Sequence, residues 1–500
     1  MSSVNQKNLD RRKRRIERRL RPRNWPDQPS PMFGGSVQYE VSDRIRATVA
    51  GGIGAVHMMV RNLGLDKRIN EALALLKVHL PYHESDHVLN IAYNVMAGGT
   101  KLEDIELLRQ DESYMDMLGA QRIPDPTTSG DFLRRFTPSE IETYMDVVNG
   151  CRVPIWRQQS REFREQATID VDGSLTPTTG EKKRGMEMSY KGIWGYHPLI
   201  VTLANSREPL YVVNRSGNVP SHSGAVKWID KAIDLCEPEF DGVFLRGDTD
   251  FSLTGEFDRW TDRGVTFVFG YDARPNVVEL AEGLPDGAFS PLERKERKVK
   301  TRDRDKREKV KEGIVEARGF LNQRLEYEEV AEVEYQPGKC RRPYRLVILR
   351  KTISEREGQG FLFRFDRYFF YITNDRRMTV REVVGQANER CDQENVIEQL
   401  KNGVNALRVP MYDLESNWAY MAIASLAWTL KAWFGMTLPK PEDGERVLRM
   451  EFKRFLNQLM RIPCQVVRGA RQIRVRVLAY TAAARMLLES VGATSQFRGT

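Results

Sequence analysis

The chain has 500 residues, 40% hydrophobic and 29% charged, with a formal net charge of +9. Single hydrophobic cores stop growing beyond roughly 250–300 residues, so the length predicts two to four domains. The five cysteines (Cys151, Cys236, Cys340, Cys391 and Cys464) are odd in number, far apart and without C-x-x-C spacing, which speaks against a disulfide framework or structural zinc and for a reducing cytoplasm.

Residues 1–40 are polar, rich in Arg and interrupted by Pro22, Pro26, Pro29 and Pro31. They read as a tail that is disordered without a partner. Nine of the 13 residues from Arg11 to Arg23 are Lys or Arg. Arg11, Arg12, Lys13, Arg14, Arg15, Arg18 and Arg19 are therefore candidate contacts to a polyanion, nucleic acid ahead of an acidic membrane. No apolar segment follows them, so the run is not a secretory signal. Residues 41–160 read as helical, with Ile69, Leu73, Leu76 and Leu80 at i, i+4, i+7 and i+11 on one stripe; such a unit either binds DNA or is a packing module. Gly51-Gly52-Ile53-Gly54 lacks the Lys-Ser/Thr of a phosphate loop and reads as a turn. His83-Glu84-Ser85-Asp86-His87 satisfies a bare H-E-x-x-H pattern, but Pro81 precedes it and no third ligand is evident. His197 and His222 are isolated and read as structural.

From Ala167 the period changes. Thr168–Asp172 alternates as a strand, Pro198–Leu203 and Pro209–Val213 are β-rich, Val226–Cys236 is helical, Val243–Arg246 is a strand, Leu253–Thr261 is helical and Val265–Phe269 is a strand. The order β-β-β-α-β-α-β predicts an α/β core with a mixed sheet flanked by helices, its first part spanning 161–275. A β-rich insertion follows over 276–375, with strands at Tyr344–Leu349 and Tyr368–Thr373 and a charged run over 291–312. A helix from Val380 to about Asn402 and an apolar helix around Trp418–Trp433 make the core's second part, 376–435. The apolar run Ala419–Leu430 is shorter than the roughly 20 residues a membrane span needs, so no membrane is expected. Residues 436–500 read as a basic, mainly helical region.

Three acids stand out by position. Asp172 ends the first strand, with Asp170 two residues before it on the same face. Asp248 follows the fourth strand, with Asp250 just beyond. On a continuous helix Arg390, Glu394, Ile397 and Lys401 form one stripe, which would suit a metal and a phosphate together. Phosphodiester hydrolysis needs an activated oxygen, a stabilised leaving oxygen and neutralised charge, which two Mg²⁺ ions about 3.5–4 Å apart supply. Hard cations call for carboxylates, and these can come from distant parts of a chain. Plainer explanations exist for each: a strand-ending turn at Asp172, a cap at Asp248, a surface ion pair at Glu394. Asp170 and Asp250 compete for the same roles or orient the ligands from behind.

The spacing Arg390-x3-Glu394-x6-Lys401 resembles the Arg, Glu and Lys of the Y-R-E-K signature of bacterial insertion-sequence transposases, the Tyr position falling on Ala387. Together with Asp170–Thr178 (DVDGSLTPT), Phe244–Phe251 (FLRGDTDF) and Asn388–Leu430, it resembles the thirteen-eighty insertion-sequence family over roughly residues 45–480. The resemblance implies an RNase H-like core with a β-rich insertion. It implies a DDE triad of Asp172, Asp248 and Glu394 as catalytic metal ligands, with Asp170 a rival for the first place, and Arg390 and Lys401 as DNA contacts. It further implies a bacterial, cytoplasmic enzyme using Mg²⁺, with Mn²⁺ able to substitute. Acting as a homodimer on double-stranded DNA, it would bind terminal inverted repeats, cut at the element ends and join the 3′-OH to target DNA. A metal-dependent nuclease without strand transfer and an inactive DNA-binding protein are the alternatives.

Overall fold

Residues 3–20, 45–292, 321–357, 360–469 and 472–497 are described by the computed structural model of the chain. The charged run expected over 291–312 lies outside the described residues from 293 onward, as does the Pro-containing part of the N-terminal tail.

The central sheet has eight main strands: β1 Ala167–Gly173, β2 Leu199–Leu203, β3 Glu208–Val213, β4 Val243–Gly247, β5 Thr266–Tyr271, β6 Leu321–Tyr335, β7 Tyr344–Glu357 and β8 Gly360–Thr373. The short strand Ser290–Pro291 lies outside β6, and the order then runs β6-β7-β8-β5-β4-β1-β2-β3. β4 is parallel to β1 and to β5, and the other pairings are antiparallel. The strands of the expected insertion thus lengthen the same sheet, because β8 pairs with β5 from Phe370 to Thr373. β6 escapes the sequence reading because Glu326, Glu328, Glu332 and Glu334 on it resemble a solvated segment.

Eight helices matter here: α1 Ser3–Leu20, α2 Gly51–Leu63, α3 Glu84–Ala97, α4 Pro138–Trp156, α5 Ala225–Cys236, α6 Val380–Asn388, α7 Cys391–Glu398 and α8 Leu414–Met436. Along β4, Val243 and Leu245 face the main core, while Phe244 turns to the other side and packs with Val383 and Val384 of α6, as the two-residue period requires. α8 has no polar face, every residue from Ser416 to Met436 being buried, and it packs on β3, α3 and α4. No helix among the described residues is long and apolar enough to cross a membrane.

Five expectations need correction. Ser3–Leu20 is a helix: it holds no Gly or Pro, is dominated by helix-forming Arg, Lys, Gln and Leu, and carries a Lys13–Glu17 pair at 3.7 Å. Gly51 and Gly52 open α2 rather than a turn; a Cβ on them would stand 2.4 Å from the Ile462 carbonyl and 2.1 Å from that of Leu459, so glycine admits the C-terminal chain against the helix. The helix expected over Leu253–Thr261 is Phe257–Asp262, preceded by a 3₁₀ turn at Thr249–Phe251. The helix expected from Val380 to Asn402 is broken into α6, α7 and a π-helical turn at Gln399–Gly403. The C-terminal region contains a β-hairpin, Cys464–Arg468 with Ile473–Val477, to which Ala47–Thr48 adds a third strand; Ile473, Val475 and Val477 alternate with Arg474 and Arg476, a period of two.

Candidate active site

β1 carries two carboxylates on the face covered by α6, and they meet different fates. Asp170 lies opposite Arg246 of the parallel neighbour β4 and is 1% exposed. Arg246 Nε donates to Asp170 Oδ1 at 2.6 Å and Nη2 to Oδ2 at 2.8 Å. Burial pushes the Asp170 carboxyl up and the Arg246 hydrogen bonds pull it down; the two-point contact is that of a charged pair. The remaining guanidinium nitrogen donates to Gln386 Oε1 of α6 at 3.0 Å. Both oxygens of Asp170 are therefore engaged by Arg246.

Asp172, two residues on, is half-buried and carries only partial compensation. Its Oδ1 accepts from the Gly173 N–H at 2.7 Å, and Arg390 Nη2 stands 3.5 Å from its Oδ2. Burial raises its pKa to about 6; Arg390 opposes this, while the charges of Asp248 and Glu394 add to it. Asp248 and Glu394 are thus each within electrostatic reach of Asp172. Asp248 leaves β4 after Gly247, and its Oδ1 caps the 3₁₀ turn by accepting from the Asp250 N–H at 3.0 Å. Burial raises its pKa, Arg390 again opposing. The turn lies tight on β5, where a Cβ at Gly270 would be 2.9 Å from the Thr249 nitrogen.

Glu394 is exposed on the first turns of α7. Its neighbour Gln393, which sequence reasoning missed, is buried and donates Nε2 to the Ile200 carbonyl at 3.3 Å. Ile200 is the register partner of Asp172, so this bond pins α7 beside the first acid. A glutamine inside an otherwise charged helix start was the available signal. Arg390 precedes α7, where its carbonyl accepts from the Gln393 and Glu394 N–H groups. Lys401 lies in the π-helical turn, closed by Val404 N–H to Gln399 O at 2.8 Å; burial lowers its pKa, while Glu398 and Asp172 raise it. The helix breaks before Arg390; from Arg390 it runs on through α7 into the π-helical turn, which widens it ahead of Lys401.

Asp250 is exposed and touches Asp248 only through its backbone. Arg11, Arg12 and Arg15 of α1 line a cleft of about 550 Å³ with Gln465, Arg476 and Ala479 of the C-terminal region, and none of the acids borders it. The H-E-x-x-H segment is spent on structure: Glu84 Oε1 accepts from the Leu75 and Leu76 N–H groups at 3.1 and 3.0 Å, and His87 is stacked on Phe132 with centroids 4.5 Å apart. His197 Nδ1 faces the Val219 carbonyl at 2.9 Å.

Among the described residues no three Asp, Glu, His or Cys side chains close on one point that could hold a metal. Asp172 and Asp248 share Arg390 instead, and Glu394 acts on Asp172. Their chemistry nonetheless suits a hard divalent cation: oxygen donors only, Asp172 and Asp248 half-buried and Glu394 exposed, with like charges set together and Arg390 and Lys401 as the cations near them.

The model of the family described as Transposase DDE domain group 1 matches residues 37–498. No curated protein matches the chain. Among solved structures it is similar to piggyBac transposase in a synaptic complex with hairpin DNA, at 10% identity and a TM-score of 0.35, over 83% of this chain and 84% of that one. A likeness so distant assigns no residue a role.

Proposed function

This chain belongs to the Transposase DDE domain group 1 family and is a transposase, and we propose that it cuts DNA at the terminal inverted repeats of a mobile element and joins the freed 3′-OH ends to target DNA. The observation that supports the active-site assignment is that Arg390 stands 3.5 Å from Asp172 and acts on Asp248, while Asp248 and Glu394 both act on Asp172. The strand order β3-β2-β1-β4-β5, with β4 parallel to its two neighbours, supports an RNase H-like core into which the strands of residues 321–373 are inserted. The spacing of Arg390, Glu394 and Lys401 supports membership of the thirteen-eighty branch.

Asp172, Asp248 and Glu394 would hold Mg²⁺, or Mn²⁺ in its place. Such ions would supply charge neutralisation at the scissile phosphate and activation of the attacking oxygen. Asp172 is the first ligand rather than Asp170, because both oxygens of Asp170 are already engaged by Arg246. Arg390 balances the acids and offers a planar fork to a phosphate. Lys401, half-buried beside Asp172, holds a neighbouring phosphate of the strand. The basic face of α1 takes the DNA backbone beyond the cut, its Arg side chains displacing counterions. Two element ends cut together call for a homodimer on DNA.

The test is incubation of the purified chain with Mg²⁺ and a DNA fragment bearing the element ends. Cutting followed by joining is expected. Cutting without joining identifies a nuclease, and binding alone identifies a chain without catalysis.

A further inference from the structure

Between β1 and β2 the chain leaves the central sheet for a small sheet of its own, Thr176–Pro177, Glu187–Met188 and Trp194–Tyr196, ordered with Trp194–Tyr196 in the middle. It departs three residues after Gly173, which follows Asp172, and returns three residues before Leu199. Its outer hairpin is tightly built. Gly192 N–H donates to Ser189 O and Ser189 N–H to Ile193 O, each at 2.9 Å, and Gly192 takes a φ of +71° that suits glycine. Met188 is the direct cross-strand partner of Trp194.

The base of the excursion is fixed as firmly. Tyr196 Oη donates to Arg184 O at 2.8 Å, Arg184 N–H to Tyr412 O at 2.9 Å, and Lys183 Nζ to Met411 O at 2.7 Å. A rigid hairpin should have no reason to show large apolar groups to water, yet Tyr190 is 82%, Met188 49%, Trp194 47% and Ile193 37% exposed. Of the described tryptophans the other six are buried. Cations accompany the rings: Lys191 Nζ stands 5.3 Å from the Tyr190 centroid and the Arg184 guanidinium 5.4 Å from that of the half-exposed Tyr412.

Exposed aromatic faces interleaved with cations, on a stiff support rooted at the acid-bearing strand end, have the chemistry of a base-stacking surface. We propose that the hairpin around Tyr190 and Trp194 stacks unpaired bases of the DNA strand next to the cut. A fully paired duplex hides its base faces, so a contact of this kind is made only where the strand is opened. The inference rests on the transposase assignment of Asp172, Asp248 and Glu394, and it concerns different residues.

The test uses the full chain, a (dT)15 strand, a 15-base-pair duplex and a single strand carrying 2-aminopurine. W194A should weaken binding of (dT)15 about tenfold and Y190A somewhat less, since a base–aromatic stack contributes on that scale, with duplex affinity unchanged. The conservative W194F should bind within about threefold of the parent and still quench 2-aminopurine, as the parent does and W194A does not; being a surface change, it guards against a folding artefact. Equal losses on single strand and duplex, or no loss on either, overturn the stacking role while leaving the catalytic assignment standing. A W194A chain that changes oligomeric state with unchanged DNA binding makes the hairpin a contact between copies and also overturns it. Failure of the parent chain to bind (dT)15 overturns the stacking role, whereas the transposase assignment is decided by the fragment bearing the element ends.

Discussion

Two carboxylates on the central sheet show what this molecule does with acid groups. Glu208, at the start of the edge strand β3, is 0% exposed and fully provided for: Trp433 Nε1 donates to Oε1 at 2.7 Å, Trp156 Nε1 to Oε2 at 3.3 Å, and Arg152 Nε lies 3.8 Å away. Those partners come from α8 and α4, so one buried acid ties two helices to the sheet edge. Asp172 has one backbone N–H and one guanidinium at 3.5 Å, with two other acids near enough to raise its pKa. An acid that holds a fold together is surrounded by donors. An acid kept short of donors and set among like charges destabilises the fold locally and is kept for a ligand.

The sharpest way to break that contrast is Asp172→Asn, which keeps the shape and removes the charge. Cleavage should fall by at least about 10³-fold, equivalent to about 4 kcal/mol of transition-state stabilisation, and the melting temperature should hold or rise because a repelling charge is gone. Glu394→Gln should behave alike. A cleavage assay beside a thermal melt decides it: undiminished cleavage by Asp172→Asn would remove this residue from the triad.

The opposite outcome is expected on the closed side. Glu208→Leu leaves two buried indole N–H groups unpaired and takes the counter-charge from Arg152, whose remaining hydrogen bond is to the Pro209 carbonyl, a loss of about 3–5 kcal/mol, seen as a lower denaturant midpoint, with activity per folded molecule unchanged. Asp170→Asn strands Arg246 in the same way, and the double change Asp170→Leu with Arg246→Met should recover much of the stability, since an apolar pair replaces an ion pair. If Asp170→Asn folds as well as the parent and fails only in cleavage, Asp170 belongs with the catalytic acids and the division between the two residues collapses.

How much of this was legible in the sequence follows from how local each signal is. Thr168–Asp172 is a strand by its own alternation and Val265–Phe269 by its β-branched and aromatic residues, and α8 is helical and central by its long apolar run. The acids were visible because strand ends are where ligands gather. What stayed hidden depends on partners distant in the chain. Nothing beside Asp170 says that Arg246 will lie across from it, although an arginine inside Val243–Gly247, a strand with no exposed residue, required a buried acid somewhere. The break after Asn388 and the π-helical turn are set by Gln393 reaching Ile200 and Phe452 N–H donating to Gln399 Oε1. No periodicity carries those contacts. The hairpin around Trp194 was missed because its strands are two or three residues long.

Acid should stress the closed side in a second way. His57 is half-buried against the Tyr93 hydroxyl and His87 is buried on Phe132, and burial above all lowers both pKa values to about 4. An unfolded histidine titrates near about 6.5, so the folded state is the poorer proton binder. The stability due to each neutral ring is therefore present above about pH 6.5 and is lost as pH falls from there toward 4, by about 1–2 kcal/mol per ring once partial contact with water is allowed for. Melting temperatures between pH 7.5 and 4.5 should show this decline, and His87→Phe, which keeps the stack on Phe132, should make it shallower. An unchanged slope in His87→Phe would mean that His87 stays neutral for no cost to the fold.

The mildest effect separates two lysines. Lys431 is 1% exposed on α8; its Nζ donates to Leu448 O at 2.9 Å and lies 3.7 Å from the Trp428 ring centroid. It caps the end of the helix Pro441–Leu448 and is spent, as Glu208 is. Burial lowers the Lys401 pKa without exhausting its donors on carbonyls, and Asp172 is among the charges that favour its cation. It is the lysine available to a phosphate. Lys401→Ala should raise the KM for element-end DNA about tenfold, about 1.4 kcal/mol, and leave kcat within about threefold, so that activity returns at high DNA concentration. Lys431→Ala should lower the melting temperature and leave KM alone. A Lys401→Ala chain whose kcat collapses at unchanged KM would place that ammonium in the transition state rather than in the grip on DNA, and a Lys431→Ala chain that melts normally would show that burial and full pairing are not what distinguishes the two.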